Sequence, residues 1–176
     1  MEKRGPRASH PRSTAFLLAQ VGAKAAGLFA LRLRELDLVP AHAGALRAIA
    51  GNVGISQQAL ASLLGVVPSR LVGLLDDLEQ RGLVERRDSA ADRRVYAIHL
   101  TEKGAKTMAD LGRAARAHDD EVCAPLTDKQ REALHSLLTA MADAHGLTPG
   151  VHPGFAQAGA EEDAPGKKGG GRSRRS

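Results

Sequence analysis

The sequence predicts a mainly α-helical chain with a small β wing of two to three strands. Most of its apolar residues recur at the three- and four-residue spacing of an amphipathic helix. The 176 residues include no Trp, three Phe and one Tyr, so Leu, Val, Ile and Ala must form the core, which suits helical packing. Only residues 83–87 and 95–100 show the short, alternating pattern of strands, and a charged loop joins them.

A basic arm over residues 1–13 precedes a long predicted helix over residues 14–36. The apolar residues of this helix are too dispersed for a single surface stripe. Such a pattern is typical of a helix that is buried on more than one side, often against a second chain. A second helix is predicted to begin at Pro40 and to end near Gly51.

Two short helices follow, separated by a tight connection. Ser56 is a suitable N-cap for the third helix, which ends near Gly65. Pro68 suits the first position of the fourth helix, because its missing N–H costs nothing there, and Gly82 suits a left-handed cap at its end. Leucines at positions i, i+3, i+4 and i+7 give the fourth helix one buried face: Leu71, Leu74, Leu75 and Leu78.

Two further helices are predicted over residues 102–123 and 127–144, with Thr101 and Thr127 as N-caps. We expect the sixth helix to bury a stripe of four apolar side chains: Leu134, Leu137, Leu138 and Met141. Residues 147–176 are rich in Gly, Pro and Ala and then in charge, so we expect a disordered tail.

The composition and the charge distribution limit the classes of protein to which this chain can belong. No run of about 18 or more uncharged apolar residues occurs, so we expect no membrane span. The N-terminus lacks the apolar stretch of a secretory signal, which indicates the cytoplasm, and Cys123, the single cysteine, permits no intrachain disulfide. The net charge of +5 comes entirely from the two tails, because residues 14–146 sum to zero. Bulk charge therefore does not by itself indicate a nucleic-acid partner.

The sequence also lacks the signs of an enzyme or a metal site. No Gly-rich phosphate loop follows a strand, and Ser, His and Asp are scattered without a recognisable constellation. We expect no catalytic residues, no metal and no cofactor. His118, Glu121 and Cys123 are close in sequence, but only the first two share a helix face, and no HxxxH or CxxC pair is present.

The order of helix, turn, helix, strand, charged loop and strand over residues 40–101 is that of a winged helix-turn-helix lobe. In helix-turn-helix proteins the N-terminal part of the second helix enters the major groove. Here that part carries four residues on the side away from the leucines: Pro68, Ser69, Arg70 and Gly73. Arg70 can donate two parallel hydrogen bonds to guanine, and Ser69 can bond a base or a phosphate.

Phosphate contacts are predicted at a second helix start and at the wing. Ser56 and Gln57 open the third helix, whose free N–H groups can hold a phosphate. The wing carries candidate DNA-contacting arginines, and an arginine at a hairpin tip suits a narrow minor groove: Arg86, Arg93 and Arg94. Phosphates would repel Asp92, so we expect it to pair with an arginine and to hold the loop in shape. An ordinary charged hairpin is the alternative.

The segments LVERR (83–87), Asp92-Arg93-Arg94 and LTEKG (100–104), after a leucine-striped helix, resemble the MarR (multiple antibiotic resistance regulator) family. The resemblance covers roughly residues 14–145. It implies a homodimer joined through residues 14–38 and 102–146, a pseudopalindromic double-stranded DNA site, and repression that a small-molecule effector relieves. It also implies that Ser69 and Arg70 lie in the recognition helix, and that Arg94 is the minor-groove arginine positioned by Asp92.

The resemblance does not extend to the cysteine with which some family members sense oxidants. Peroxide-sensing members carry a reactive cysteine near the start of the first helix, and this chain has none there. Family effector pockets lie between the dimer helices and the reading lobe. Candidates for ligand contact in that region are Phe16, Gln20, His42 and Leu46. Alternatively, Phe16 and Leu46 are core residues, and His42 caps a helix or is exposed. A metal-responsive regulator and a winged-helix module that binds protein remain alternative functions.

Overall fold

Six helices and a three-stranded sheet make up residues 13–88 and 96–152, the parts of the chain that the computed structural model describes. The helices are α1 (Thr14–Glu35), α2 (Pro40–Gly51), α3 (Gln57–Leu64), α4 (Pro68–Gln80), α5 (Glu102–Cys123) and α6 (Asp128–Ala144). The strands are β1 (Ile55–Ser56), β2 (Val84–Asp88) and β3 (Tyr96–Leu100). The predicted fold class is confirmed. Three predicted wing residues, Asp92, Arg93 and Arg94, lie outside the described residues, as does the predicted N-terminal arm except Ser13.

Side-chain caps fix the helix starts as predicted. The hydroxyl of Ser56 accepts a hydrogen bond from the backbone N–H of Ala59 at 3.2 Å, and that of Thr101 accepts one from Gly104 at 3.0 Å. Thr127 caps α6 in the same way. Such caps satisfy N–H groups that have no partner inside the helix. Gly65 and Gly82 follow α3 and α4 with φ of 65° and 68°, the left-handed conformation that favours glycine.

The sheet joins the wing to the helix-turn-helix. Its strand order is β1-β3-β2 and both pairs are antiparallel. In the hairpin, pairing runs from Val84 with Leu100 to Asp88 with Tyr96. Strand β1 immediately precedes α3 and pairs Ile55 with Ile98. The base of the wing is therefore held on the same short segment that begins the third helix.

An aliphatic core lies between α1, α2, α3, α4 and the sheet. Its largest side chains are completely buried: Leu33, Leu46, Ile49, Leu60, Leu71, Leu75, Leu78 and Ile98. Three of the four leucines predicted on α4 are in this group, and Leu74 is partly buried against it. Burial of one such side chain contributes about 1.5–3 kcal/mol. The orientation of α4 is thus fixed by its leucine face.

The predicted buried stripe of α6 is wrong for the single chain. Leu137 is 65% exposed, and Leu134, Leu138 and Met141 are 37–41% exposed. No residue of α6 is buried, because no other described element of the chain packs over this face. Helix α1 has a similar surface, with Phe16, Leu17, Val21 and Leu31 about half exposed. Together these two helices present an apolar surface that a single chain does not cover.

The composition of α1 bears on the predicted absence of a membrane span. By length and composition this helix could cross one, since an 18-residue window has a mean hydropathy of 1.5. Helices α3 and α4 meet the same criteria together, but they are bent by 109° at the break between them. A helix that packs its apolar side against another protein surface has the same composition.

The predicted disordered tail begins too early. Residues 147–152 fold back on the lobe, with hydrogen bonds from the N–H of Leu147 to the carbonyl of Ala142 and from Val151 to Thr148. Val151 packs against the core. One apolar side chain with a place to pack is enough to order a short Gly- and Pro-rich segment locally. Residues 153–176 of the predicted tail lie outside the described residues.

Candidate nucleic-acid interface and effector cavity

The N-terminal part of α4 presents a small polar surface. Pro68, Ser69 and Gly73 are exposed, while Leu71 on the opposite side is completely buried. Gly73 has no other heavy atom within 4 Å of where a Cβ would be, so another molecule can approach the backbone closely there. This surface has the position and shape that major-groove reading requires.

Arg70 lies differently from the free surface arginine that the sequence suggests. It is half-buried, and its Nη1 atom is shielded from solvent without a hydrogen-bond partner in the described part of the chain. Its side chain borders two depressions, one beside Ala41 on α2 and the other between the long helices. A buried, unpaired guanidinium N–H is unfavourable, so this group is poised to bind an acceptor. Its contact with DNA remains a prediction.

At the start of α3, Ser56 and Gln57 are both half-buried. The Ser56 hydroxyl is already the N-cap acceptor, which leaves the first backbone N–H groups of α3 to meet a phosphate. The predicted phosphate contact at this position therefore depends on the backbone more than on the two side chains.

The prediction that Arg86 contacts DNA from the wing does not agree with its position in the structure. Its guanidinium donates to Asp76 at 2.6 Å and to Glu79, both on α4, and the side chain is 21% exposed. Two carboxylates thus neutralise the charge that was expected to face DNA. Arg86 ties the second strand to the reading helix and is not free to bind a phosphate in this arrangement. Sequence reasoning missed this pairing because the acids lie seven and ten residues earlier.

The predicted effector residues do not form one site. His42 and Leu46 are buried within the lobe, whereas Phe16 and Gln20 are exposed on α1. A cleft of about 820 Å³ lies between α1, α2 and α5. None of the four predicted effector residues lines this cleft. Its volume is in the range of small-molecule sites. The lining is mainly apolar with two arginines: Ala26, Phe29, Pro40, Ala41, Ala43, Gly44, Arg47, Arg70, Met108, Leu111, Gly112, Ala115, Gly150, Val151 and His152.

Sequence reasoning missed this cleft because five separate segments contribute to it. Small residues at helix positions, such as Gly44 and Gly112, are the one local sign of such space. The candidate metal ligands have other partners. His118 packs against the ring of Phe29, with ring centres 5.2 Å apart, and Glu121 pairs with Arg32. Across residues 13–88 and 96–152, no three His, Cys, Asp or Glu side chains are grouped as a metal site requires.

Comparison with known proteins gives consistent matches. A family model described as "MarR family" matches residues 36–95. The transcriptional regulator HosA of Escherichia coli is 32% identical over 105 residues, which cover 60% of this chain and 78% of HosA. A candidate transcriptional regulatory protein for the hcr operon of Thauera aromatica is 38% identical over 101 residues. That match covers 57% of this chain and 61% of the relative.

Solved structures match over most of their length. A mutant MarR of Escherichia coli complexed with operator DNA has a TM-score of 0.62 and 26% identity, covering 72% of this chain and 91% of that one. A MarR family protein of Mycobacterium tuberculosis in complex with DNA has a TM-score of 0.64 and 26% identity, covering 73% and 97%.

Proposed function

Because the chain belongs to the MarR family and is a DNA-binding transcriptional regulator, we propose that it represses transcription as a homodimer on a pseudopalindromic operator. This function is not enzymatic. The observation that carries the proposal is the exposed N-terminal end of α4, which offers Ser69, Gly73 and the half-buried Arg70 beside a wing. Such a regulator acts in the cytoplasm, where its DNA is.

Two copies are needed to read such a site. Successive major grooves on one side of B-form DNA are about 34 Å apart, so each half-site meets one α4. The apolar faces of α1 and α6 are the proposed contact between copies, because a single chain leaves them exposed. We place the reading lobe at residues 40–101 and the dimer region at residues 14–38 and 102–146. Phosphate contacts by Ser56, Gln57 and the wing residues Arg93 and Arg94, with Asp92 in support, complete the proposed interface.

The first test is fluorescence anisotropy with labelled duplex DNA from immediately upstream of the protein's own gene, against a scrambled duplex. We expect preference for the native duplex at moderate salt, with two chains per site. Arg70→Ala should reduce discrimination between the duplexes by about 1–3 kcal/mol, the worth of one bidentate base contact. Lys129→Ala, at an exposed position on α6, is the control and should change nothing.

Equal binding to both duplexes, lost together as salt rises, would contradict sequence-specific binding and favour a protein-binding lobe. A reporter gene placed behind the same upstream DNA distinguishes repression from activation. Repression predicts lower reporter expression when the protein is present, and higher expression would identify an activator.

We further propose that the cleft binds an effector with an apolar body and one anionic group. The mainly apolar lining supports the first feature, and Arg47 and the unpaired Nη1 of Arg70 support the second. An anion that pairs with Arg70 would hold this side chain away from DNA. The ligand and the operator would then compete for one guanidinium.

The probe for this site is 1-anilinonaphthalene-8-sulfonate, compared with N-phenyl-1-naphthylamine, which has the same rings without the sulfonate. We expect only the anionic dye to release the labelled operator. Arg47→Ala should weaken this release without changing operator affinity in the absence of dye, because Arg47 lies on α2 away from the reading surface. Equal action of the two dyes, or an unaffected Arg47→Ala variant, would contradict an anion site in the cleft.

A further inference from the structure

His42 is the one polar side chain that is buried among the described residues, with 7% exposure. It lies in the first turn of α2 and faces α4. Its Nδ1 atom accepts a hydrogen bond from the backbone N–H of Val39 at 3.4 Å, which caps α2. Its Nε2 atom is 2.7 Å from a carboxylate oxygen of Asp77 on α4. One imidazole therefore connects the start of α2 with the C-terminal turn of α4.

These two contacts determine the protonation state of the ring. The Val39 N–H is a donor, so Nδ1 must offer a lone pair, while the Asp77 carboxylate is an acceptor, so Nε2 must carry the hydrogen. The neutral tautomer with hydrogen on Nε2 satisfies both partners. A second proton on Nδ1 would place two N–H groups against each other and remove the cap of α2.

Three charged groups surround the ring. Asp77 on α4 and Asp37 in the turn between α1 and α2 favour the charged imidazolium, and Arg81 at the end of α4 opposes it. Arg81 pairs with both acids. Its Nε lies 3.0–3.1 Å from the Asp77 carboxylate, and its Nη1 lies 2.9 Å from both the carbonyl and a carboxylate oxygen of Asp37. The three groups leave a net charge of −1 beside the ring, so electrostatic attraction opposes the effect of burial at position 42 but does not outweigh it.

Burial is the largest influence on this group and lowers the pKa of His42 below its ordinary value of 6.5. The unfolded chain therefore binds the proton more readily than the folded chain, and acidification lowers the free energy of unfolding. Above pH 6.5 the ring is neutral in both states, and the free energy of unfolding is unaffected. As the pH falls below 6.5, the folded state resists protonation, and its stability decreases until the folded-state pKa is reached.

We propose that neutral His42 is a positioning residue that holds the reading helix α4 against α2, so that acidification weakens operator binding by this protein. Protonation would set the Nδ1 hydrogen against the Val39 N–H, so the ring would have to move. That movement would shift the start of α2 relative to Asp77 on α4, even though an imidazolium pairs more strongly with this carboxylate. The inference rests on the proposed function, because its main readout is operator affinity.

The decisive variant is His42→Gln. The amide oxygen and nitrogen of Gln can replace the acceptor and the donor of the ring, but Gln does not titrate. At pH 7.5, we expect operator affinity close to wild type in His42→Gln and reduced in His42→Ala. As the pH falls through the folded-state pKa of His42, which lies below 6.5, the wild type should lose affinity relative to His42→Gln, by up to about tenfold per pH unit. His135→Gln, at an exposed histidine of α6, is the control and should follow the wild type.

Equal pH dependence in the wild type and His42→Gln would overturn the proposal. So would a His42→Gln variant as weak as His42→Ala at pH 7.5. Urea unfolding at the same pH values separates this failure from a failure of the proposed function. If no variant binds the DNA, the wild type should still lose stability below pH 6.5 relative to His42→Gln, and the lack of that difference would refute the role of His42 independently.

Discussion

Changing Leu137 to Glu is expected to separate the proposed dimer into single chains. Operator affinity should then fall by about a hundredfold or more, because the second half-site is no longer bound by a linked subunit. Leu137 is the most exposed member of the apolar stripe on α6, with 65% exposure in the single chain. Burying a carboxylate in an apolar contact between copies costs several kcal/mol. The stripe itself contributes little to folding of the single chain, so the variant should remain folded.

Ser136→Glu is the matched control. It adds the same charge one residue away, on the opposite side of α6, and should leave the dimer intact. Light scattering after gel filtration gives the mass of each species, and anisotropy gives its operator affinity. A Leu137→Glu protein that keeps the dimeric mass would show that the contact between copies does not include this part of α6.

Gly104→Ala is expected to lower the free energy of unfolding by about 3 kcal/mol, at the upper end of the usual range for overpacking. Gly104 is buried in the first turn of α5, and an added Cβ would overlap the carbonyl oxygen of Leu83. That oxygen accepts a hydrogen bond from the N–H of Thr101, and the Thr101 hydroxyl donates to the carbonyl of Gly82 at 2.6 Å. These hydrogen bonds join the backbone at Leu83 to the start of α5, so neither segment can easily move away from the added Cβ.

Gly112→Ala provides the comparison within the same helix. The nearest atom to an added Cβ is Nη1 of Arg116 at 3.7 Å, an ordinary contact. The helix preference of Ala should therefore raise stability by about 0.5–1 kcal/mol. Urea unfolding measures both changes. Equal effects at the two glycines would mean that the junction between β2 and α5 tolerates displacement.

Features that depend on neighbouring residues were predictable from the sequence. The caps Ser56, Thr101 and Thr127 begin helices as predicted, and Gly82 adopts the predicted left-handed conformation after α4, because each depends on bonds within a few residues. The leucine spacing likewise predicted the buried face of α4. The fold class and the family follow from such local signals taken in order.

Features that depend on distant partners were not predictable. The direction of the Arg70 side chain depends on α2, and the neutralised charge of Arg86 depends on acids of α4. Sequence spacing gives the width of an apolar stripe, but it does not say whether the same chain or another chain covers it, as the exposed Leu137 illustrates. The cleft was not predicted because five separate segments contribute to its wall.

The position of Arg70 has a consequence for how regulators of this design diverge. One side chain borders both the exposed end of the reading helix and the apolar cleft. With the two roles proposed for Arg70, a substitution there would change operator preference and effector response together. Ser69 and Gly73 lie on the same end of α4 but do not line the cleft, so substitutions there would change operator preference alone.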